Sequence, residues 1–367
     1  MKKPFSLFVL FVSLFLLAAC EGEDSSVTIV IKGEESLEEE IVFTDEESLF
    51  DILKEHYELE YLETDYGPMI EGIESLQAGP QHYIAIYRND EPIDVGIDQV
   101  DFESGDAFRF EKAWLDETAE AVDSALTLFL DQQADSYLTD ANVNVLLGLY
   151  HLGEDFDVDF DDDSELEAGA LASKIFKSAT TGEVDEALYD RLEDKATLDH
   201  LYSASYMYMG LALSGDVSIY GEFEDALIAL IKDASLDEKD NDTLSMMLLA
   251  MSVYEGNALD ERNQEVKDHL IEHVYDNLYG DNAASYALTV MALLSQGVDP
   301  TGEEFVEEGK HLVDHLLAHQ TDEGDFKWSM ADEEADAAFT TPQAFLALSM
   351  LQTWYQGVET PHPYIIE

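Results

Sequence analysis

Residues 284–302 read ASYALTVMALLSQGVDPTG, an apolar run with small residues at its start and a Gly-Val-Asp-Pro corner at its end. A helix that is apolar around most of its circumference has no face to give to water, so this stretch predicts a helix inside a fold. Gly297 can take the left-handed conformation that caps a helix, and Pro300 prevents continuation. Thr301 with Glu304 offers a capping box to a following helix, so the corner turns the chain from an inner helix to an outer one. The same design recurs at 142–155, 203–216, 243–257 and 341–357, the last with Thr341 as cap and Pro342 at the first helical position. Between these lie segments with one apolar stripe and an acidic face, such as 263–277 and 303–320. Alternation of the two kinds predicts an inner and an outer ring of helices. The repeat starts fall about 60, 40, 41 and 57 residues apart, as helix pairs with insertions would.

Upstream the period changes. VTIVIKG (27–33) alternates as a strand does, and EEIVFTD (39–45) can pair with it. SLFDILKEHY (48–57) has helical spacing with Ser48 as N-cap, HYIAIYRND (82–90) returns to strand with a turn at Asn89-Asp90, and 106–114 closes as another strand. This predicts a small α+β domain over 27–114, a helical domain over 115–358, a tether at 21–26 and a C-terminal tail at 359–367.

The first twenty residues, MKKPFSLFVLFVSLFLLAAC, place Lys2 and Lys3 before an apolar run too short to span a bilayer with assurance. This is the pattern of an export signal. Its LAAC ending resembles the lipobox of bacterial lipoproteins. The resemblance implies that Cys20 becomes the acylated (palmitate-bearing) first residue of a mature chain, held at the extracytoplasmic face of the cell membrane with the lipid bilayer as its partner. Cys20 is the only cysteine, so no intrachain disulfide can form. The chain carries 82 acidic against 17 basic residues, a formal charge of −65, with 46% hydrophobic residues. That balance describes a folded body under an acidic coat, and it makes nucleic acid and bare anionic membrane poor partners.

The opening strand, Leu49-Phe50-Asp51-Ile52-Leu53, Tyr66-Gly67 with Ile70 and Ile73, Tyr83, Asn89 and Gly105-Asp106 resemble the β-domain of the transcobalamin and intrinsic factor family, the DUF4430 type of bacterial surface proteins. The chain departs from that pattern where Ile84 follows Tyr83 in place of tryptophan, and where Asp90 follows Asn89 in place of glycine. The helical half resembles the α/α toroid of terpenoid cyclases, protein prenyltransferases and the transcobalamin α-domain. Ser285 to Pro300, and Gln320 through Gly324-Asp325-Phe326 to Thr341–Leu348, carry this likeness. Together they imply a multidomain fold, a small β-grasp-like α+β domain followed by an α/α toroid of helix pairs. They also imply a bulky ligand, a corrinoid in the leading analogy, bound between the two domains.

Enzymatic chemistry finds little support. A prenyltransferase-type zinc site needs a cysteine, and Cys20 lies in the signal segment. Asp159-Phe160-Asp161-Asp162 matches the letters of a cyclase acid motif, but more than one residue in five is acidic. The surrounding run 154–165 reads as a solvated loop, a calcium site built from Asp157, Asp159, Asp161 and Asp163, or a catalytic acid. His311, His315 and His319, and His269 with His273, recur every four residues. Two such histidines can grip one metal, but a third lies about 12 Å from the first. They read as surface or boundary residues, as a metal pair, or as a cobalt ligand. No nucleophile elbow, phosphate loop or dinucleotide glycine pattern occurs.

Candidate ligand contacts are Tyr66, Met69 and Tyr83 in the small domain and Phe326, Trp328 and Phe339 before the last inner helix, each with packing as the alternative role. The reading is a non-enzymatic lipoprotein that captures a bulky ligand for uptake through an importer and requires no cofactor. Its rivals are an adhesion lipoprotein that contacts protein or polysaccharide, and a toroid enzyme acting on a polymer.

Overall fold

In a computed structural model the described residues are 25–33, 36–44, 47–64, 67–79, 82–93, 95–158, 166–182, 184–276, 282–358 and 360–366. The chain forms two compact units, Met1–Leu115 and Asp116–Glu367.

In the small unit, β1 (Ser26–Lys32) buries Val27, Ile29 and Ile31 on one face, as its alternation dictates. It pairs antiparallel with β2 (Ser36–Val42) and parallel with β8 (Ala107–Trp114). A parallel neighbour needs a crossover. The chain supplies one through α1 (Leu49–His56) and a second sheet of β3 (Leu59–Thr64), β4 (Gly67–Ile73) and β5 (Leu76–Gln77). β6 (His82–Arg88) and β7 (Glu91–Pro92) complete the first sheet, in the order β2-β1-β8-β6-β7. Leu49, Ile52 and Leu53 of α1 join Phe108, Phe110 and the β1 side chains in one core. Ser48 caps α1 in a capping box with Asp51. Asn89 and Asp90 both adopt left-handed backbone (φ 52° and 68°), the geometry of a two-residue hairpin turn, so the turn forms without glycine. The second sheet is the part that the sequence pattern did not announce.

Burial pushes the Asp106 carboxyl up. Hydrogen bonds from the Glu103 main chain, Asn89 and Arg88 outweigh that effect and hold it below the ordinary carboxylate range. Asp106→Ala is expected to cost the small unit about 2 kcal/mol, because charge-assisted hydrogen bonds vanish and Asn89 loses a partner. Urea unfolding monitored in the small unit checks this, and a loss below ~0.5 kcal/mol would refute it.

In the helical unit, α4 (Val143–Leu152), α5 (Ala168–Thr180), α7 (Leu201–Ala212), α9 (Asn241–Val253), α11 (Ala283–Ser295) and α13 (Thr340–Tyr355) touch in sequence, and α13 returns to α4. The result is a closed ring, an α/α toroid-like arrangement. Outside it, α2 (Glu117–Gln132) packs on α13, α8 (Val217–Asp233) on α7, α10 (Asp260–Glu272) on α9, and α12 (Leu312–Leu317) on α11. The short α3 (Ala134–Thr139) and α6 (Ala187–Lys195) fill the corners. Every residue of α11 is buried, as an all-apolar circumference requires. Gly148 lets α4 approach α13 closely, since a Cβ there would lie 2.6 Å from the Phe345 ring.

Five ring helices are parallel. Gln343 donates to the Ala284 carbonyl at the starts of α13 and α11, while Thr353 donates to the His151 carbonyl at the ends of α13 and α4. These five are the ones that the all-round apolar pattern selects. The sixth, α5, runs antiparallel to α7: Phe176 packs on Tyr206, while Gly210 faces Ala172. It wedges between α4 and α7 although only one of its faces is buried.

Gly297 takes φ +67°, and the amide of Val298 reaches back to the Leu293 carbonyl, so the helix stop forms as expected. Three local readings change. Thr301 forms no capping box; its amide and hydroxyl bond Asp299 in a turn of their own. The stretch 303–320 is not one helix: a short 3-10 turn (Glu303–Phe305) precedes an isolated bridge from Glu307 to Lys310 and then α12, which His311 caps with Asp314. α13 starts at Thr340, and Asp336 accepts the Ala338, Phe339 and Thr340 amides, which moves Pro342 to the third helical position.

Candidate ligand-binding site

Parallel ring helices have two ends, and the sequence furnishes them differently. At the starts of α11 and α13 lies the segment 320–339. The Trp328 carbonyl accepts the first amide of α11, from Ala283, and the Phe326 amide donates to the Thr341 hydroxyl at 2.8 Å. Phe326 is 1% exposed and belongs to the core, the packing role that was its alternative. Trp328 (38% exposed) and Phe339 (52%) present large apolar surface to solvent. Trp328 sits before α11, and Phe339 caps α13.

Further round the same end, Tyr202 begins α7 and Asp242 begins α9. Burial raises Asp242 above the ordinary carboxylate range, against a hydrogen bond with Ser285 of α11 that lowers it. Burial and the charges of Asp242 and Asp240 push the Tyr202 phenol up to about 12. One turn deeper, the buried hydroxyls of Ser205, Ser245 and Thr289 have no hydrogen-bond partner among the described residues. The ring helices therefore hold a layer of buried hydroxyls on this side. Sequence reasoning missed it, because single serines and threonines inside an apolar run carry no signal of their own.

The other end is covered. Residues 360–366 lie over the ends of α4, α9, α11 and α13 and leave a cavity of about 390 Å³. Its wall combines His151, Ser252, Ser295 and Thr353 from the ring with Pro361, His362 and Ile365.

In the small unit, Met69 lies on β4 opposite Leu62, and Tyr83 lies on β6 opposite Ala113. Both are almost half exposed, so both remain open to a ligand. Tyr66 and Cys20 lie outside the described residues, as do Asp159, Asp161 and Asp163. Asp157 is exposed. No group of three or more metal-ligating side chains occurs among the described residues.

The histidines spread out rather than converge. His311 caps α12 and meets the Thr118 hydroxyl at 3.0 Å, His315 stacks on Tyr286, and His319 is buried. His269 and His273 lie ring to ring at 4.6 Å, and Asp276 is 3.5 Å from His273. No helix among the described residues is long and apolar enough to cross a membrane.

Residues 46–112 match the family described as "Domain of unknown function (DUF4430)", so the N-terminal unit contains a DUF4430-type β-domain. Among curated proteins none matches. Among solved structures the chain is similar to a candidate metal-binding protein from Ruminococcus gnavus at 21% identity, over 25% of this chain and 98% of that one, with a TM-score of 0.23.

Proposed function

From a DUF4430-type domain joined in one chain to a closed helical ring, we propose a non-enzymatic binding protein, anchored at the extracytoplasmic face of a cell membrane through acylated Cys20. Its ligand is a bulky molecule of corrinoid size, captured for uptake by an importer. Kinship of the ring with the transcobalamin-type toroid is part of this proposal. The observation that carries it is the exposure of Trp328 and Phe339 at the starts of two adjacent ring helices. Large apolar side chains held outside a core, next to groups able to hydrogen-bond, are what a cofactor-sized ligand uses. Met69 and Tyr83 offer the same chemistry on the small unit. The charge of −65 disfavours anionic ligands and favours neutral or cationic ones, so cobinamide is the better probe and cobalamin the comparison.

Protein lacking residues 1–20, mixed with cobinamide, is expected to carry the visible absorbance of the corrinoid through size exclusion at about one per chain. Trp328→Ala with Phe339→Ala should weaken binding by roughly tenfold or more, while circular dichroism stays unchanged. No co-migrating absorbance from fully folded protein would exclude the corrinoid reading and favour adhesion to protein or polysaccharide. Turnover of a polysaccharide by the same sample would instead identify an enzyme.

A further inference from the structure

The segment Thr360-Pro361-His362-Pro363-Tyr364-Ile365-Ile366 reads as a tail in sequence, yet Pro361, Pro363 and Tyr364 are buried. Two prolines, one residue apart, favour an extended backbone without internal hydrogen bonds, the form in which proline-rich peptides enter aromatic-lined grooves. The ring end provides such a groove. The Tyr364 ring packs against Phe176 of α5 at 4.8 Å and Tyr206 of α7 at 5.3 Å. The His362 imidazole meets the Leu249 carbonyl of α9 at 3.1 Å through Nε2, and its Nδ1 accepts the Tyr364 amide. His151 at the end of α4 lies beside the main chain of His362 and Pro363. Four features typical of a bound peptide are thus present: anchoring aromatic, prolines, a specific polar contact and unfilled space beside it.

We infer that this end of the ring is a docking site for a Pro-x-Pro-aromatic peptide, occupied in cis by the chain's own residues 360–366. The site is separate from Trp328 and Phe339, so the inference stands independently of the corrinoid reading. It also contains a release device. The His362 ring donates on one side and accepts on the other, so a proton added at Nδ1 removes the acceptor that holds the Tyr364 amide. The titratable groups near the segment are Tyr150 and His151 on α4, Tyr206 midway along α7 and, deeper in the ring, Tyr202 at the start of α7. At acid pH the two neighbouring imidazolium ions would repel each other, with carbonyls, phenols and the hydroxyls of Ser252, Ser295 and Thr353 around them among the described residues. The cavity at their edge gives the proton a way in.

The test cuts the segment free after folding. A protease site placed at position 359 of the full chain is cleaved in the folded protein, and the sample is exchanged against a labelled synthetic peptide of residues 360–367. At pH 7.5 the cut segment should stay with the protein, and the labelled peptide should replace it at about one per chain. A peptide carrying Tyr364→Ala should compete at least tenfold less well. Shifting to pH 4.5 should release the segment from the parent protein but not from a His151→Gln/His362→Gln variant. Loss of tertiary circular dichroism on cleavage would overturn the inference, because the segment would then be a structural part of the ring. So would a failure of the labelled peptide to enter. Equal release from parent and variant at pH 4.5 would remove the histidine device.

Discussion

Phe345→Ala is expected to lower the unfolding free energy of the helical unit by about 4 kcal/mol, the largest effect of any single truncation considered for this chain. Phe345 is 1% exposed and stacks on Phe129 of α2 with ring centroids 4.1 Å apart. On its other side it covers Gly148 of α4. One ring therefore joins the last ring helix to the first and to the outer layer. Glycine has no side chain to move into the void, so the cavity should persist and the full truncation cost should appear. Urea unfolding of the variant, with Trp328→Ala as the exposed control expected within ~0.5 kcal/mol of the parent, gives the comparison. A Phe345→Ala loss below about 1 kcal/mol would mean that the closure between α13 and α4 is not what stabilises the ring.

Acid should act on the same unit through His362. Burial holds its folded-state value at about 4, against an ordinary 6.5, and the neighbouring His151 pushes it the same way. The Leu249 carbonyl only partly offsets the two. A base whose value is depressed in the folded state binds its proton more readily when unfolded. The cost is absent above about pH 6.5, grows as pH falls through the window to 4, and is complete below it. It amounts to roughly 3 kcal/mol. His151, also lowered by burial, adds in the same direction. The acidic coat titrates over part of this range and would mask the effect in the parent alone. The informative quantity is the difference between parent and His362→Gln, which should change by roughly 3 kcal/mol between pH 7 and pH 4. A flat difference would show that the imidazole is solvated rather than enclosed.

Legibility divided along physical lines. Period and punctuation were readable: the all-round apolar runs at 142–155, 203–216, 243–257, 284–299 and 341–357 became the five parallel ring helices, and Ser48, Gly297 and Asn89-Asp90 took the roles that their chemistry implies. What depends on partners far along the chain was not. α5 has a single apolar stripe and so reads as outer, yet it closes the ring, because the gap between α4 and α7 buries that stripe from one side only. The segment 303–320 has helical spacing, but Gly302, Gly309 and the Asp299 turn break it before propensity can act. Of the site candidates, Trp328, Phe339, Met69 and Tyr83 are exposed, whereas Phe326 differs only in being packed under Thr341, a fact of tertiary position. The segment 360–366 reads locally as a tail, since nothing in its own letters distinguishes a half-buried histidine from an exposed one.

The contact between α4 and α13 also bears on assembly in time. Gly148 and Phe345 are separated by almost the whole helical unit in sequence, and hydrogen bonds such as Thr353 to His151 span 202 positions. A loop of that length is costly to close, and nothing about the circle is complete until its last member arrives. While the polypeptide emerges vectorially, the early helices must wait with apolar flanks bare. Maturation should therefore finish in one late cooperative step.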